Sequence, residues 1–75
     1  MSTLDDLARK LADDTFKAME ALDNDRLYVE VAEIIGASSQ TLEEAYLTEV
    51  RVRLAYKKAR GFLVRKVKAH QAGNG

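Results

Sequence analysis

Small and apolar residues recur at alternating intervals of four and three along the first 22 residues, and this periodicity strongly constrains the fold. The residues are Leu4, Ala8, Leu11, Thr15, Ala18 and Leu22. A helix face repeats about every 3.6 residues, whereas a strand face repeats every two. The chain also contains no proline, so no position lacks the backbone N–H that a helix uses. Since no long period-two pattern occurs, the predicted fold class is all-α.

Three helices in a single domain, residues 1–70, are predicted from this periodicity and from the caps. Their approximate bounds are 3–22, 26–35 and 41–70, followed by a flexible polar tail, 71–75. Thr3 with Asp6 approximates a capping box at the first helix, because an acid can replace the usual Glu or Gln. The first two helices are expected to form a short hairpin that packs on the long C-terminal helix.

The ends of the second and third helices are predicted from residues with known capping preferences. Asp25 is expected to cap the second helix, and Gly36 is expected to end it in the left-handed conformation. Thr41 and Glu44 have the spacing of a capping box at the start of the third helix. From there to about His70, the only helix-weakening residue is glycine.

The third helix is predicted to be too long for the rest of the chain to cover. Thirty helical residues span about 45 Å, and Gly61 costs only about 1 kcal/mol relative to alanine in a helix interior. The distal half is therefore expected to extend beyond the first two helices. The predicted core residues are Leu7, Leu11, Phe16, Leu22, Val31, Ile34, Leu42, Tyr46, Val50 and Tyr56.

Charge is segregated along the chain although the formal net charge is zero. Residues 1–49 hold all twelve acids and four bases, a net charge of −8, and residues 50–75 hold eight bases, a net charge of +8. One interpretation is that an acidic hairpin neutralises a basic helix within the same chain. The other is that the exposed end of the third helix offers a basic surface to phosphate groups or to an acidic partner.

Charged residues also lie within the apolar side of the third helix. Glu49 and Arg53 are four residues apart in the favourable acid-first order, so they are expected to pair along the helix. Arg60 follows one heptad after Arg53. Either the arginine stems cover apolar surface while their charged ends reach water, or a polar layer fixes the register of a helical dimer or meets an acid from a partner.

The segment 31–47 resembles the helix-turn-helix pattern of bacterial DNA-binding domains. In that pattern a small residue lets two helices approach, a glycine makes the turn, and a Ser-x-x-Thr-apolar run opens the second helix. The matching residues are Ala32, Gly36, Ser38, Thr41, Leu42 and Ala45.

This resemblance implies a small DNA-binding regulator. The groove-facing residues would be Ser38, Ser39, Gln40 and Thr41. The distal lysines and arginines of the third helix would then contact the phosphate backbone.

Catalytic and metal-binding arrangements are not recognisable in the sequence. The one histidine is His70, no cysteine occurs, and adjacent acids such as 13–14 diverge on a helix. A calcium loop beginning at Asp23 is excluded, because Leu27 and Tyr28 occupy its fifth and sixth positions. We expect neither enzymatic activity nor a cofactor. The first six residues lack the features of a secretory signal, so a cytoplasmic location is expected.

A non-catalytic interaction or regulatory protein is the function that these features favour, with the DNA-binding regulator as the alternative. The protein is expected to bind a protein partner through its amphipathic basic C-terminal helix and to form a homodimer, without contacting a membrane or a small-molecule substrate. Residues expected to bind the partner are Arg53, Lys57, Lys58, Arg60, Phe62, Leu63 and Val67.

Overall fold

Three helices and no strand make up the chain in the computed structural model, which describes residues 3–74. Their bounds are Thr3–Leu22 for α1, Leu27–Gly36 for α2 and Gln40–Asn74 for α3. The predicted all-α fold is thereby confirmed, as is the packing of α1 and α2 on a long α3. Helix α3 passes Gly61 without interruption and extends into the segment predicted as a polar tail.

The start of α3 is capped two residues earlier than predicted. The Ser39 hydroxyl accepts a hydrogen bond from the backbone N–H of Leu42 at 3.1 Å, which is the geometry of an N-cap. Thr41 already lies inside the helix, which begins at Gln40, so the predicted capping box with Glu44 is wrong. Serine is favoured at the N-cap because its short side chain can accept a hydrogen bond from the free N–H groups of the first turn.

The connection between α1 and α2 uses aspartate and asparagine in place of glycine. Asp23 has a left-handed φ of 51°, and the N–H of Asn24 donates to the Met19 carbonyl at 3.0 Å, which closes the end of α1. The side-chain oxygen of Asn24 accepts from the N–H of Arg26 at 3.1 Å. Arg26 immediately precedes α2 and makes no side-chain cap, so the prediction of Asp25 as the cap is wrong.

Gly36 lies beside the Glu43 side chain and does not adopt a left-handed conformation. No glycine in the described residues has positive φ, and α2 ends into Ala37 at a right-handed φ of −64°, so the predicted left-handed ending is wrong. A β-carbon at Gly36 would lie 2.9 Å from the Glu43 carboxylate. Since these atoms are the far end of a flexible side chain, a small residue at this position would require only a shift of Glu43.

The core is built largely from small residues on α1 and α2 that surround two larger side chains of α3. Tyr46 and Val50 are fully buried, as predicted. They pack with Ala8, Ala12, Thr15, Ala32 and Ile35. Alanine in these positions lets the helices approach closely, so larger apolar side chains are displaced to the edges of the interfaces.

The remaining core predictions divide into partly correct and wrong. Four predicted residues are partly buried against the core, namely Leu11, Phe16, Val31 and Leu42. Four others are more than half exposed, namely Leu7, Leu22, Ile34 and Tyr56. Ile35 is buried whereas Ile34 is exposed, because the side of α2 that meets the core is the one that Ala32 and Ile35 share.

The molecule is elongated because α3 extends well beyond the two helices that pack on it. Its extents are 55 × 29 × 15 Å, and its radius of gyration of 16.1 Å exceeds the roughly 11 Å of a compact chain of this length. Leu54 is the last residue of α3 that packs on the core, and from Ala55 to Gly73 only Gly61 is not exposed. We call residues 3–54 the head and residues 55–74 the arm.

The arm leaves the head beside the turn between α1 and α2. Helices α1 and α3 run in the same general direction, since Leu11 shares a groove with Leu42 while Met19 shares one with Lys57. The end of α1 is therefore level with the base of the arm, and the arm extends into solvent for about 30 Å beyond it.

Candidate partner-binding surface

A continuous row of exposed apolar side chains runs from the head onto the arm. At about 100° per residue these side chains share one side of α3, and we call the row the stripe. Its members are Val52, Tyr56, Ala59, Leu63 and Val67. Val52 is 61% exposed, Tyr56 66%, Leu63 56% and Val67 55%, so none of these large side chains has a covering partner within the described chain.

Phe62 is exposed to the same degree as Leu63 but lies on a different side of the arm. Its exposed fraction is 55%, and one residue of helix turns it about 100° away from Leu63. Lys58 and Lys66 lie one turn before and after it. Of the apolar residues predicted to bind a partner, Leu63 and Val67 therefore share a face, whereas Phe62 stands among bases.

Six exposed bases surround the stripe on the arm. They are Lys57, Lys58, Arg60, Arg65, Lys66 and Lys68. The arm contains no acid, and within residues 3–74 no carboxylate forms an ion pair with these six side chains. The head carries a net charge of −6 and the arm a net charge of +6. The arm thus combines an apolar row, with Phe62 and Val64 also exposed outside it, and a cationic surround.

Arg53 differs from the other predicted binding residues because its guanidinium is already occupied. It donates to Asp13 Oδ1 of α1 at 2.8 Å and to Glu49 Oε1 of its own helix at 2.7 Å. The hydrogen bond to Glu49 raises the pKa of Arg53, against the effect of desolvation. The predicted pairing of Glu49 with Arg53 is confirmed, and the further acid comes from α1 of the same chain.

A shallow groove lies between α1 and the base of the arm. Its volume is about 490 Å³. Phe16 and Tyr56 are its aromatic lining residues, and Asp13, Lys17 and Arg60 are among its charged lining residues. The groove borders the stripe at Tyr56, so an apolar side chain from another molecule could rest on the stripe and against α1 together.

The residues predicted to read DNA lie at the opposite end of α3 from the bases. Ser38, Gln40 and Thr41 are exposed, whereas the Ser39 hydroxyl is committed to the cap. The bases of the arm begin about 25 Å further along the helix, at Lys57. The structure thus places the four predicted groove-facing residues together but separates them from the cations that would hold the phosphates.

Val52 and Tyr56 belong to this surface but were not among the residues predicted to bind a partner. The sequence pattern placed both on the apolar side of α3, and Tyr56 was predicted to be buried in the core. Periodicity could not identify them as exposed, because their spacing on α3 is that of core residues. The contact of Asp13 with Arg53 had no signal in spacing, because the residues are 40 positions apart.

Chemically, the surface is suited to holding another macromolecule through apolar contact and charge. Within residues 3–74 no group of three or more His, Asp or Glu side chains could hold a metal ion. None of the helices over the same residues has the length and hydropathy needed to cross a bilayer. No protein family, curated protein or solved structure matches this chain.

Proposed function

We propose that this chain is a small, non-catalytic, cytoplasmic interaction protein that binds a protein partner through the arm. The observation that carries the proposal is the stripe, whose four large side chains are each more than half exposed. Single exposed apolar residues are ordinary on a protein surface, but a contiguous exposed row bordered by charge is typical of an interaction site. We further propose that binding through the arm regulates the partner.

The helical state of the arm supports recognition by insertion into a groove. Residues at intervals of four and three on one face are the anchors by which amphipathic helices bind apolar grooves. Because the arm continues α3 without a break, its helix is formed before binding. The six bases add long-range attraction toward an acidic surface and raise the rate of encounter at low salt.

The alternative is a DNA-binding regulator that uses Ser38, Ser39, Gln40 and Thr41. The exposed bases of the arm would suit phosphate contacts, but the distance of about 25 Å between them and Gln40 gives the protein-binding proposal stronger support. The acidic side chains beside the start of α3, Glu43 and Glu44, add to that support because they would repel phosphate.

Affinity capture from native cell extract, with and without nuclease, tests the proposal. We expect a nuclease-resistant protein, or a second copy of this chain, to bind the wild-type protein. Leu63→Ala should weaken the binding at least tenfold because apolar anchors dominate such interfaces, whereas the matched control Gln40→Ala should not.

The opposite pattern would overturn the proposal. Capture of nucleic acid alone, unaffected by Leu63→Ala but weakened for all sequences by Lys57→Ala, would establish the DNA-binding alternative. Loss of sequence preference in Gln40→Ala would then assign the reading of bases to the start of α3.

A further inference from the structure

We infer that the partner seated on the stripe is a second copy of this chain, in a twofold dimer whose two α3 helices run antiparallel. The distal half of each arm then lies along the head of the other copy. This inference rests on the proposed function, and it adds the identity of the partner, the direction of the helices and their register.

Charge decides between the two ways in which the stripes could meet. In a parallel pair, two arms that each carry a net charge of +6 would lie side by side with no acid between them. In an antiparallel pair, the distal part of each arm, 65–74, lies beside the head of the other copy, which carries a net charge of −6, and only 55–64 of the two arms lie side by side. Opposite charges at the same separation attract as strongly as like charges repel, so the antiparallel arrangement is favoured.

The length of the stripe sets the register. It begins at Val52 and ends at Val67, so its midpoint lies between Ala59 and Arg60. A twofold axis exchanges the two copies, so the same surface of each copy meets at the axis. The two stripes therefore cover each other along their full length only when the axis passes through their midpoint. Tyr56 of one copy then contacts Leu63 of the second, and Val52 contacts Val67 of the second.

The acids of the head lie where this register brings the second arm. Asp13 lines the groove that borders the stripe at Tyr56. Glu20, Asp23 and Asp25 line the adjoining groove beside Lys57 at the base of the arm. An arm that follows the stripe past this edge of α1 therefore places its bases near carboxylates while its apolar side chains cover Tyr56 and Val52.

Crosslinking of single-cysteine variants tests the direction and the register, and the chain is suited to it because it has no cysteine of its own. A short bismaleimide should join two copies of Ala59→Cys, since this position lies beside the proposed axis. It should leave Val67→Cys largely unlinked, because antiparallel helices would hold the two copies of that position about 22 Å apart along the axis. Rapid crosslinking of Val67→Cys would establish a parallel pair and overturn the inference.

Sedimentation equilibrium tests the dimer itself. At tens of micromolar we expect twice the chain mass of 8.4 kDa. Leu63→Asp should raise the dissociation constant of the dimer on the order of tenfold or more. The neighbouring substitution Phe62→Asp, on a different side of the arm, should change that constant much less.

The failure of this inference is distinguishable from failure of the proposed function. A wild-type monomer that captures another protein through Leu63 would overturn the dimer and leave the proposed function in place. A wild-type monomer with no partner that depends on Leu63 would overturn both.

Discussion

Arg53 of α3 joins Asp13 of α1 across 40 residues of sequence, with Nη2 2.8 Å from Oδ1. Its Nη1 simultaneously donates to Glu49, one turn earlier in α3. The side chain of Arg53 is only 24% exposed, whereas that of Asp13 is 55% exposed. Arg53 therefore fastens α1 to α3 at the level where the head ends and the arm begins.

Replacing Arg53 should loosen this attachment. Arg53→Ala removes both ionic contacts and the packing of the side-chain stem, and we expect it to lower the free energy of unfolding by about 1 kcal/mol, since Asp13 remains well hydrated. The matched control is Arg51→Ala, an exposed position on the same helix. Urea unfolding measures both. A double-mutant cycle with Asp13→Ala should give a coupling of about 0.5 kcal/mol, and a coupling of zero would show that the bridge adds no stability.

Alkaline pH should destabilise the protein through Tyr46. Burial raises the pKa of the Tyr46 phenol, whose hydroxyl donates toward Thr15 at 3.2 Å and the Tyr28 carbonyl at 3.3 Å. The folded protein keeps this proton to higher pH than the unfolded chain. Stability from this group is present below about pH 10 and is lost as the pH rises through the raised pKa.

The comparison with Tyr46→Phe isolates this contribution. The variant should lose about 1 kcal/mol at neutral pH, because it removes a buried hydroxyl and its hydrogen bonds. Its free energy of unfolding should then fall less steeply than that of the wild type above about pH 10. Parallel pH profiles for the two proteins, obtained by urea unfolding, would contradict the expected role of Tyr46.

The cap of α3 can be tested with two neighbouring hydroxyl residues. Ser39→Ala should cost about 1 kcal/mol, because it removes the acceptor for the N–H of Leu42. Thr41→Ala should have little effect, since Thr41 is exposed in the first turn. Thermal unfolding followed by circular dichroism measures both, and a larger loss in Thr41→Ala would restore the capping box suggested by the sequence.

Close helix packing should make the core intolerant of larger side chains. Ala12 has no exposed surface, and Ala12→Leu should destabilise the head by about 1–3 kcal/mol by forcing the helices apart. Ala21→Leu places the same side chain at an exposed position of α1 and should change stability by less than about 0.5 kcal/mol. Equal stability of the two variants would mean that the helices are not closely packed at Ala12.

Gly61→Ala should strengthen the arm without altering the head. A β-carbon there meets only the end of the flexible Arg65 side chain, at 3.2 Å, so the gain in helix propensity of about 1 kcal/mol is not opposed by a rigid clash. Amide hydrogen exchange around residue 61 should slow, while exchange in the head stays unchanged. Gly73→Ala is the matched control, and its effect should be confined to the last turn. Unchanged exchange in both variants would show that Gly61 does not limit the stability of the arm.

Periodicity predicted the positions of the helices well, but it predicted poorly which of their side chains are buried. The 3.6-residue pattern identifies which side of α1 faces inward, and its predicted bounds agree with the structure. It cannot show how near the helices approach. Ala8 and Ala12 permit a close approach, so the buried layer consists of small residues and Leu22 is left exposed.

The position of the candidate surface could be predicted only in part. The surplus length of α3 was visible in the sequence, because the chain before residue 40 is too short to cover it. The near end of the stripe was not visible, because Tyr56 has the spacing of a core residue and becomes exposed only where the head stops. The occupation of Arg53 by Asp13 depends on how α1 crosses α3, which local spacing does not encode.

The continuity of α3 through head and arm has a consequence for how the protein melts. Starting a helix is costly and extending one is easy, and the packed turns around Tyr46 and Val50 supply a permanent start for the arm. The arm can then unravel only from its free end inward, one residue at a time. On warming, ellipticity should therefore decline gradually before the cooperative transition, as residues beyond Leu54 uncoil ahead of the head.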